Sequence, residues 1–353
     1  MEKELWKGNE AVAEAAIRAG CKYFFGYPIT PQNEIPEYLS LHLPKIGGCF
    51  LQAESEVAAI NMVYGAAGCG KRVMTSSSSP GISLKQEGIT YLCGAELPCV
   101  IVNMMRGGPG LGTIQPAQGD YYQATRGGGN GDYRHLVYAP ATIQEAADYV
   151  RMAFDVADLY RNPVMVLADG MIGQMMEAIE WHDVPRRELP EKPWATTGTH
   201  GERKPNIINS LYIDPNVCAD HNIRLAEKYR AMEENETRWE ETDIEDCEVL
   251  FVAYGTPSRI AKAAIRQLAR EGIRAGLFRP ITLWPFPGKA LKQAAMQPKC
   301  KVVVDVELSM GQMIDDVKIA LEGCRPVAFI GKAGGVVPTP AEVAAAAKQA
   351  LGR

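Results

Sequence analysis

The sequence predicts an α/β fold with two doubly wound domains, and two observations carry that expectation. Short apolar runs alternate with amphipathic stretches, and the runs lack the period-2 pattern of half-exposed strands. Parallel strands covered on both faces have this signature. The alternation stops near Trp181 and resumes at Val249, which divides the chain into two α/β units joined by a long connection. A length of 353 residues suits two domains.

In chain order, residues 11–19 read as a helix and 22–26 as the strand that follows. Further strands are expected at 49–52, 72–76, 98–105, 136–139 and 163–168. The apolar run 57–68 reads as a helix. The clearest helix opens at Thr142, where Thr142-Ile143-Gln144-Glu145 forms a capping box ahead of an amphipathic run to about Leu159. These elements make a first domain of residues 1–182. Residues 183–220 hold Pro185, Pro190, Pro193, Pro205 and Pro215 with little periodicity, the mark of an extended crossover that usually carries function or a partner surface. A charged helix follows, with Leu225, Tyr229 and Met232 on one face, and an acidic stretch through Glu248 completes a connection of 183–248. The second domain, 249–353, has strands at 249–254, 273–278, 301–306 and 327–330, a helix at 258–270 and an Ala-rich helix from about Pro340. No period of 20–50 residues occurs, which excludes a solenoid.

Composition narrows the function. At 46% hydrophobic and 22% charged, the chain can build a sizeable core. A net charge of −5 without a basic stripe argues against nucleic acid. No run approaches the ~18 apolar residues of a membrane span, and the charged start offers no apolar core for a signal peptide. The expectation is a cytoplasmic protein with no membrane partner. Nine cysteines are scattered with no C-x-x-C among them, which argues against a metal centre in this chain and reads as small buried hydrophobes in a reducing compartment.

Ligands of open parallel sheets collect beyond the carboxyl ends of the strands, and three stretches stand there. Gly26-Tyr27-Pro28-Ile29-Thr30-Pro31 is a turn made rigid by Tyr27-Pro28; Thr30 and Pro31 alone would also serve as N-cap and N1 of the next helix. Gln52-Ala53-Glu54-Ser55-Glu56 leads into an apolar helix. Its carboxylates suit the helix dipole, and Glu56 sits at the mouth of a buried helix. Arg106-Gly107-Gly108-Pro109-Gly110-Leu111-Gly112 puts a guanidinium after the most hydrophobic strand and beside a glycine-rich loop. That fits a carboxylate or phosphate, with a structural salt bridge as the competing reading. Gly127-Gly128-Gly129-Asn130-Gly131 fits no phosphate-cradling spacing. The run Ser76-Ser77-Ser78-Ser79 has no histidine base beside it, which makes a serine hydrolase a weak reading.

Taken in order, these stretches resemble the α subunit of 2-oxoacid:ferredoxin oxidoreductases, thiamine-diphosphate enzymes that make acyl-CoA and reduce ferredoxin. Gly8-Asn9-Glu10-Ala11, Arg279-Pro280-Ile281-Thr282-Leu283-Trp284-Pro285-Phe286-Pro287 and Val306-Glu307-Leu308-Ser309-Met310-Gly311-Gln312-Met313 extend the match over nearly the whole chain. The resemblance implies a pyrimidine-binding-type first domain and a transketolase C-terminal-like second domain. It also implies thiamine diphosphate shared with a β subunit. The family's G-D-G metal motif is missing here, so Mg²⁺ and [4Fe-4S] clusters are expected on partner subunits, with a small ferredoxin-like subunit possible and ferredoxin as acceptor.

By the same resemblance, Glu56 hydrogen-bonds the aminopyrimidine ring, Tyr27, Pro28 and Ile29 line the cofactor, and Thr30 and Arg106 hold the 2-oxo acid carboxylate. Gly110-Leu111-Gly112 stands where 2-oxoglutarate-type members carry Ser-Thr-Gly, and an apolar side chain suits the isopropyl group of 2-oxoisovalerate, with CoA as co-substrate. Two readings compete: a 2-oxoglutarate:ferredoxin oxidoreductase, and a non-catalytic α/β interaction protein whose motifs are only turn and cap chemistry.

Overall fold

A computed structural model describes residues 3–184 and 187–353; Met1, Glu2, Arg186 and the first crossover proline, Pro185, lie outside the described residues. Six parallel strands form the spine of the first sheet. Their spatial order is Cys49–Gln52, Tyr23–Gly26, Val73–Ser77, Cys99–Gly107, Pro163–Asp169 and Leu136–Tyr138. Each lies within two residues of its expected span. Val73–Ser77, Cys99–Gly107 and Pro163–Asp169 are buried at every position, which is why they carry no alternation. The chain winds first to one side of Tyr23–Gly26 and then to the other. The order therefore reverses between Tyr23–Gly26 and Val73–Ser77, and a crevice opens beyond their carboxyl ends.

Helices Gly8–Arg18 and Ile143–Tyr160 cover one face through Ala11, Val12, Ala15, Val150 and Phe154. Helices Glu56–Gly68 and Ser79–Gly94 cover the other through Ile60, Val63, Ile82 and Ile89. The second sheet has four parallel strands in the order Ala275–Pro280, Val249–Val252, Val302–Glu307 and Val327–Gly331. Helices Gly255–Arg270 and Pro340–Ala350 pack on one side of it. One hydrophobic cluster runs without a break from Ile60 and Ile82 to Leu250, Val317 and Leu321, so the two units share a core.

Several short elements depart from expectation. Trp239–Thr242, placed in the connection by sequence, is an antiparallel edge strand of the second sheet, half-exposed and only four residues long. Thr282–Trp284 leaves the second unit to pair antiparallel with Leu136–Tyr138 at the edge of the first sheet. Glu4–Lys7 and Met176–Ile179 form a separate two-stranded ribbon. Runs of three or four residues are too short to show a period. The expected charged helix spans Pro215–Glu236 and does bury Leu225, Tyr229 and Met232. Of the nine cysteines only five are buried. Cys49 is exposed and Cys69, Cys218 and Cys324 are partly so, which corrects the uniformly buried reading.

The Thr142 box is half formed. Thr142 accepts from the Glu145 amide at 3.1 Å, but the Glu145 carboxylate turns to the Ala141 amide (2.7 Å) and to Arg279 (2.6 and 2.9 Å). Arg279, 3% exposed, also pairs with Glu240 at 2.6 Å and so ties a helix of the first unit to the edge of the second sheet. Arg279→Met is expected to lower the free energy of unfolding by about 3 kcal/mol, the scale for stranding half-buried carboxylates. Arg274→Ala, in an exposed pair with Asp246, should change it by under about 1 kcal/mol. Urea titration of the two variants checks the contrast.

Candidate functional site

The turn after Tyr23–Gly26 is clamped from three directions. The Asn9 amide donates to the Pro31 carbonyl (2.7 Å) and to Glu34 (2.6 Å). Gln174 donates to the same carbonyl at 2.8 Å, and Ser76 donates to Gln32 at 2.5 Å. The Thr30–Pro31 peptide is cis, and the next helix begins only at Glu34. The N-cap and N1 reading of Thr30 and Pro31 is therefore overturned: Pro31 is held by its carbonyl in the turn, three residues before the helix. Thr30 keeps its hydroxyl at the crevice, where it accepts from Asn33 at 3.3 Å. Tyr27 and Pro28 lie exposed at the rim, with Ile29 half-buried behind them.

Glu56 is the first residue of its helix and only 6% exposed. Ser55 caps the helix by accepting from the Ala58 amide at 3.2 Å. The Glu56 carboxylate makes no hydrogen bond or ion pair among the described residues, and the positive end of the helix is what tolerates it there. Gly81, in the first turn of the Ser79–Gly94 helix, closes over it. A Cβ on Gly81 would lie 2.7 Å from Glu56 Oε1 and 2.0 Å from Ser77 Oγ.

Arg106 is 8% exposed and donates to the Thr30 carbonyl (3.0 Å) and the Leu111 carbonyl (3.0 Å). It has no ion pair among the described residues, so the structural salt bridge is ruled out as its reason for burial. Its Nε is left without a partner, as are the hydroxyls of Ser77 and Ser78 and the side-chain carbonyl oxygens of Asn33 and Asn103. Ser79 connects the two halves of the crevice. It accepts from the Arg106 amide at 3.0 Å and donates at 2.6 Å to Asp120, which Asn103 also reaches at 2.9 Å. Burial pushes the Asp120 carboxyl up, against those two hydrogen bonds.

The structure thus joins Glu56, Thr30 and Arg106 through one helix turn. Asn9, Ser77, Ser79, Gly81 and Asp120 belong to the same arrangement and were not picked out from the sequence for these roles; the serine run was the available signal. Leu111 is a correction. It is 81% exposed while its carbonyl accepts from Arg106, so it does not wall an apolar pocket within this chain. A cavity of about 500 Å³ at Thr30 is lined instead by Pro31, Ile114, Pro116, Met171 and Met175, with Asn33, Glu34 and Gln174 at its polar end. Another of about 440 Å³ lies where Ser79, Gly108 and Asp120 meet Leu308 and Met310 of the second unit. The Gly127–Gly131 loop packs on the Ser79–Gly94 helix, with Thr90 donating to the Asn130 carbonyl at 2.7 Å.

Unpartnered buried donors and a carboxylate at a topological switch point suit a ligand with ring nitrogens and an anionic co-ligand. These features fit a thiamine-diphosphate-binding α/β enzyme. Residues 14–241 match the family described as pyruvate flavodoxin/ferredoxin oxidoreductase, thiamine diphosphate-binding, and residues 247–343 match pyruvate:ferredoxin oxidoreductase core domain II. The chain belongs to the 2-oxoacid:ferredoxin oxidoreductase family. It is 50% identical to the ketoisovalerate oxidoreductase subunit VorB of Methanothermobacter marburgensis, over 95% of this chain and 94% of that one. It is 38% identical to the 2-oxoglutarate synthase subunit KorA of Methanocaldococcus jannaschii, over 97% and 98%.

The 2-oxoglutarate:ferredoxin oxidoreductase of Magnetococcus marinus, solved with 2-oxoglutarate, coenzyme A and succinyl-CoA, superposes with a TM-score of 0.87 at 26% identity, covering 99% of this chain and 65% of that one. A split-gene transketolase shares the fold at a TM-score of 0.60 and 17% identity, covering 98% of each chain. No helix among the described residues is long and apolar enough to cross a membrane.

The residues present fit the pyrimidine end of the cofactor: an unbonded carboxylate beside free serine hydroxyls under a glycine roof. Gly81→Ala is expected to weaken thiamine diphosphate binding at least about tenfold, or about 1.4 kcal/mol, while the protein still folds. Fluorescence titration of the assembled enzyme, with circular dichroism as the control, measures this.

Proposed function

We propose that this chain is the α subunit of a ferredoxin oxidoreductase that converts a branched-chain 2-oxo acid, 2-oxoisovalerate, with CoA to acyl-CoA and CO₂. The observation that carries the substrate class is Arg106, a buried guanidinium with no carboxylate of its own. An unpaired buried cation costs free energy that an incoming carboxylate recovers, and a fixed fork beside the Thr30 hydroxyl orients that carboxylate. The branched side chain is favoured over a second carboxylate by the cavity at Thr30. Proline, isoleucine and methionine line one part of it, no lysine or arginine lines it, and Glu34 is already on it beside neutral Asn33, Gln115 and Gln174. The higher identity to the ketoisovalerate subunits points the same way.

Thiamine diphosphate, when bound, supplies the carbon nucleophile and electron sink for decarboxylation. Glu56 would accept a hydrogen bond from its aminopyrimidine ring, and the Tyr27–Ile29 turn would flank that ring. Arg106 and Thr30 would position the 2-oxo acid, without over-stabilising a carboxylate that must leave as CO₂. In this reading residues 1–182 are the pyrimidine-binding unit, 183–248 the connection and 249–353 the transketolase C-terminal-like unit. A β subunit supplies the diphosphate, Mg²⁺ and cluster sites, and electrons pass on to ferredoxin.

The test is anaerobic purification of the tagged chain with its partners, followed by CoA-dependent viologen reduction over a panel of 2-oxo acids. Reduction with 2-oxoisovalerate well above 2-oxoglutarate is expected; the reverse order overturns the substrate assignment. Glu56→Gln should abolish reduction with assembly intact. Arg106→Ala should raise KM for the 2-oxo acid by about 10- to 100-fold, the loss of a charge-assisted bond of ~1.5–3 kcal/mol, and leave KM for CoA nearly unchanged.

A further inference from the structure

Lys85 is a fully buried amine in a place where nothing in the proposed reaction uses it. It lies one helical turn beyond Gly81 on the Ser79–Gly94 helix, on the same face, which is the face that closes over Glu56. Its Nζ donates to Thr75 Oγ1 at 2.7 Å and to the Ser76 carbonyl at 3.0 Å, both on the strand that ends at the crevice. Two of its three donors are thus anchored on neutral oxygens, and no carboxylate stands within ion-pair distance among the described residues. A methionine would fill the same space without the cost of burying an ammonium. Something must repay that cost.

The charged and titratable groups around the amine are few. The Glu56–Gly68 helix presents Glu56, and the Cys99–Gly107 strand presents the Cys99 thiol. The Val73–Ser77 strand offers only hydroxyls and carbonyls. On its own helix Glu87 turns outward, bonded to Tyr91 at 2.6 Å. Glu56 in turn has no bonded partner and sits beside the first turn of the same helix. Lys85 and Glu56, both buried and neither in an ion pair among the described residues, are therefore of opposite sign and share one helix wall.

We propose that Lys85 is a positioning residue for Glu56: its ammonium, anchored on Thr75 and Ser76, is the buried countercharge that faces the Glu56 carboxylate across the helix wall where the aminopyrimidine would seat. This rests on the thiamine reading above. Burial holds the Lys85 ammonium down to about 7, against the fields of Glu56 and Cys99. The countercharge is therefore present on the acid side of neutrality and fades above it. Folding also becomes pH-linked through this group. Between about 7 and the ordinary 10.5 the unfolded chain binds a proton at Lys85 that the folded chain does not, so stability rises with pH across that window.

The test compares the assembled wild-type enzyme with Lys85→Met, Lys85→Gln and Lys85→Arg. Deuterium exchange at C2 of bound thiamine diphosphate is followed by NMR from about pH 5.5 to 8.5. In the Met and Gln variants the acid limb of the exchange profile should move alkaline by roughly one pH unit, about tenfold slower exchange below it; Arg should restore it. Gln keeps a donor for Thr75 and Ser76 and decides the matter if Met does not assemble.

A second readout needs no cofactor. The thermal midpoint of the cofactor-free complex should rise between about pH 7 and 9 in the wild type and stay flatter in Lys85→Gln. Superimposable exchange profiles, with equal cofactor content, overturn the proposal. Wild-type exchange no faster than that of free thiamine diphosphate overturns the thiamine reading itself, which separates the two failures.

Discussion

The guanidinium of Arg106 rests on two backbone carbonyls, those of Thr30 and Leu111, and on no carboxylate among the described residues. Much of the first unit is arranged around that choice. An arginine satisfied by an internal aspartate would be a structural bolt, with its positive charge spent. Carbonyl oxygens fix the plane of the fork and leave its charge uncancelled, which is the state a carboxylate substrate requires. The Thr30 carbonyl can serve only if the turn that carries it is immobile. Asn9 and Gln174 lock the next carbonyl, Ser76 locks Gln32, and Lys7 secures Glu34 at 2.5 Å. A motif at the very start of the described chain thereby serves a turn twenty residues later.

The same economy holds the two units together. The Arg279–Pro287 stretch gives the guanidinium that joins Glu145 to Glu240 and the short strand that finishes the first sheet. Asp169, at the end of a central strand, accepts from the Thr256 amide and hydroxyl at 2.8 and 2.7 Å, and Gln118 spans the Tyr254 carbonyl and the Leu308 amide at 3.0 Å each. Within the second unit, Glu307 takes the amides of Gln312 and Ile314 and fixes the turn that carries Leu308 to the first unit. These are buried polar bonds with fixed partners, so the second unit is held in one orientation against the crevice rather than tethered. The cavity between Gly108, Asp120 and Met310 exists because of them.

The parts of this structure that sequence discloses are those whose cause is local or periodic. Six apolar runs locate the parallel strands; burial on both faces leaves its mark in the central ones, whereas the edge strand Cys49–Gln52 is apolar yet largely exposed. Glu56 and Arg106 stand out because a charge beside an apolar run is unusual in any context. Asn9, Ser79 and Gly81 do not, because an asparagine on a helix, a serine at a helix start and a glycine in its first turn have ordinary local explanations. Their significance depends on what lies across the crevice. Leu111 shows the converse: its residue type suggested an apolar pocket, while within this chain its side chain faces out and its carbonyl accepts from Arg106. The Thr30–Pro31 pair fails likewise, since cap chemistry is a local preference and the clamps on Pro31 are tertiary.

What remains at the crevice is a set of groups held ready and not mutually satisfied. Glu56 and Lys85 are oppositely charged and not bonded, Arg106 lacks an anion, and Ser77 and Ser78 lack partners. A fold that needed only stability would have paired these charges or replaced them with carbon, since an unpaired buried polar group costs about 1–3 kcal/mol. Keeping them apart makes sense when the missing partners arrive from outside the chain. In the proposed reading the aminopyrimidine would complete Glu56 and the 2-oxo acid would complete Arg106. On that reading the unsatisfied groups cluster on the carboxyl side of the first sheet, beside the helix turn of Ser79 and Gly81, and that is the side on which the missing groups would have to arrive.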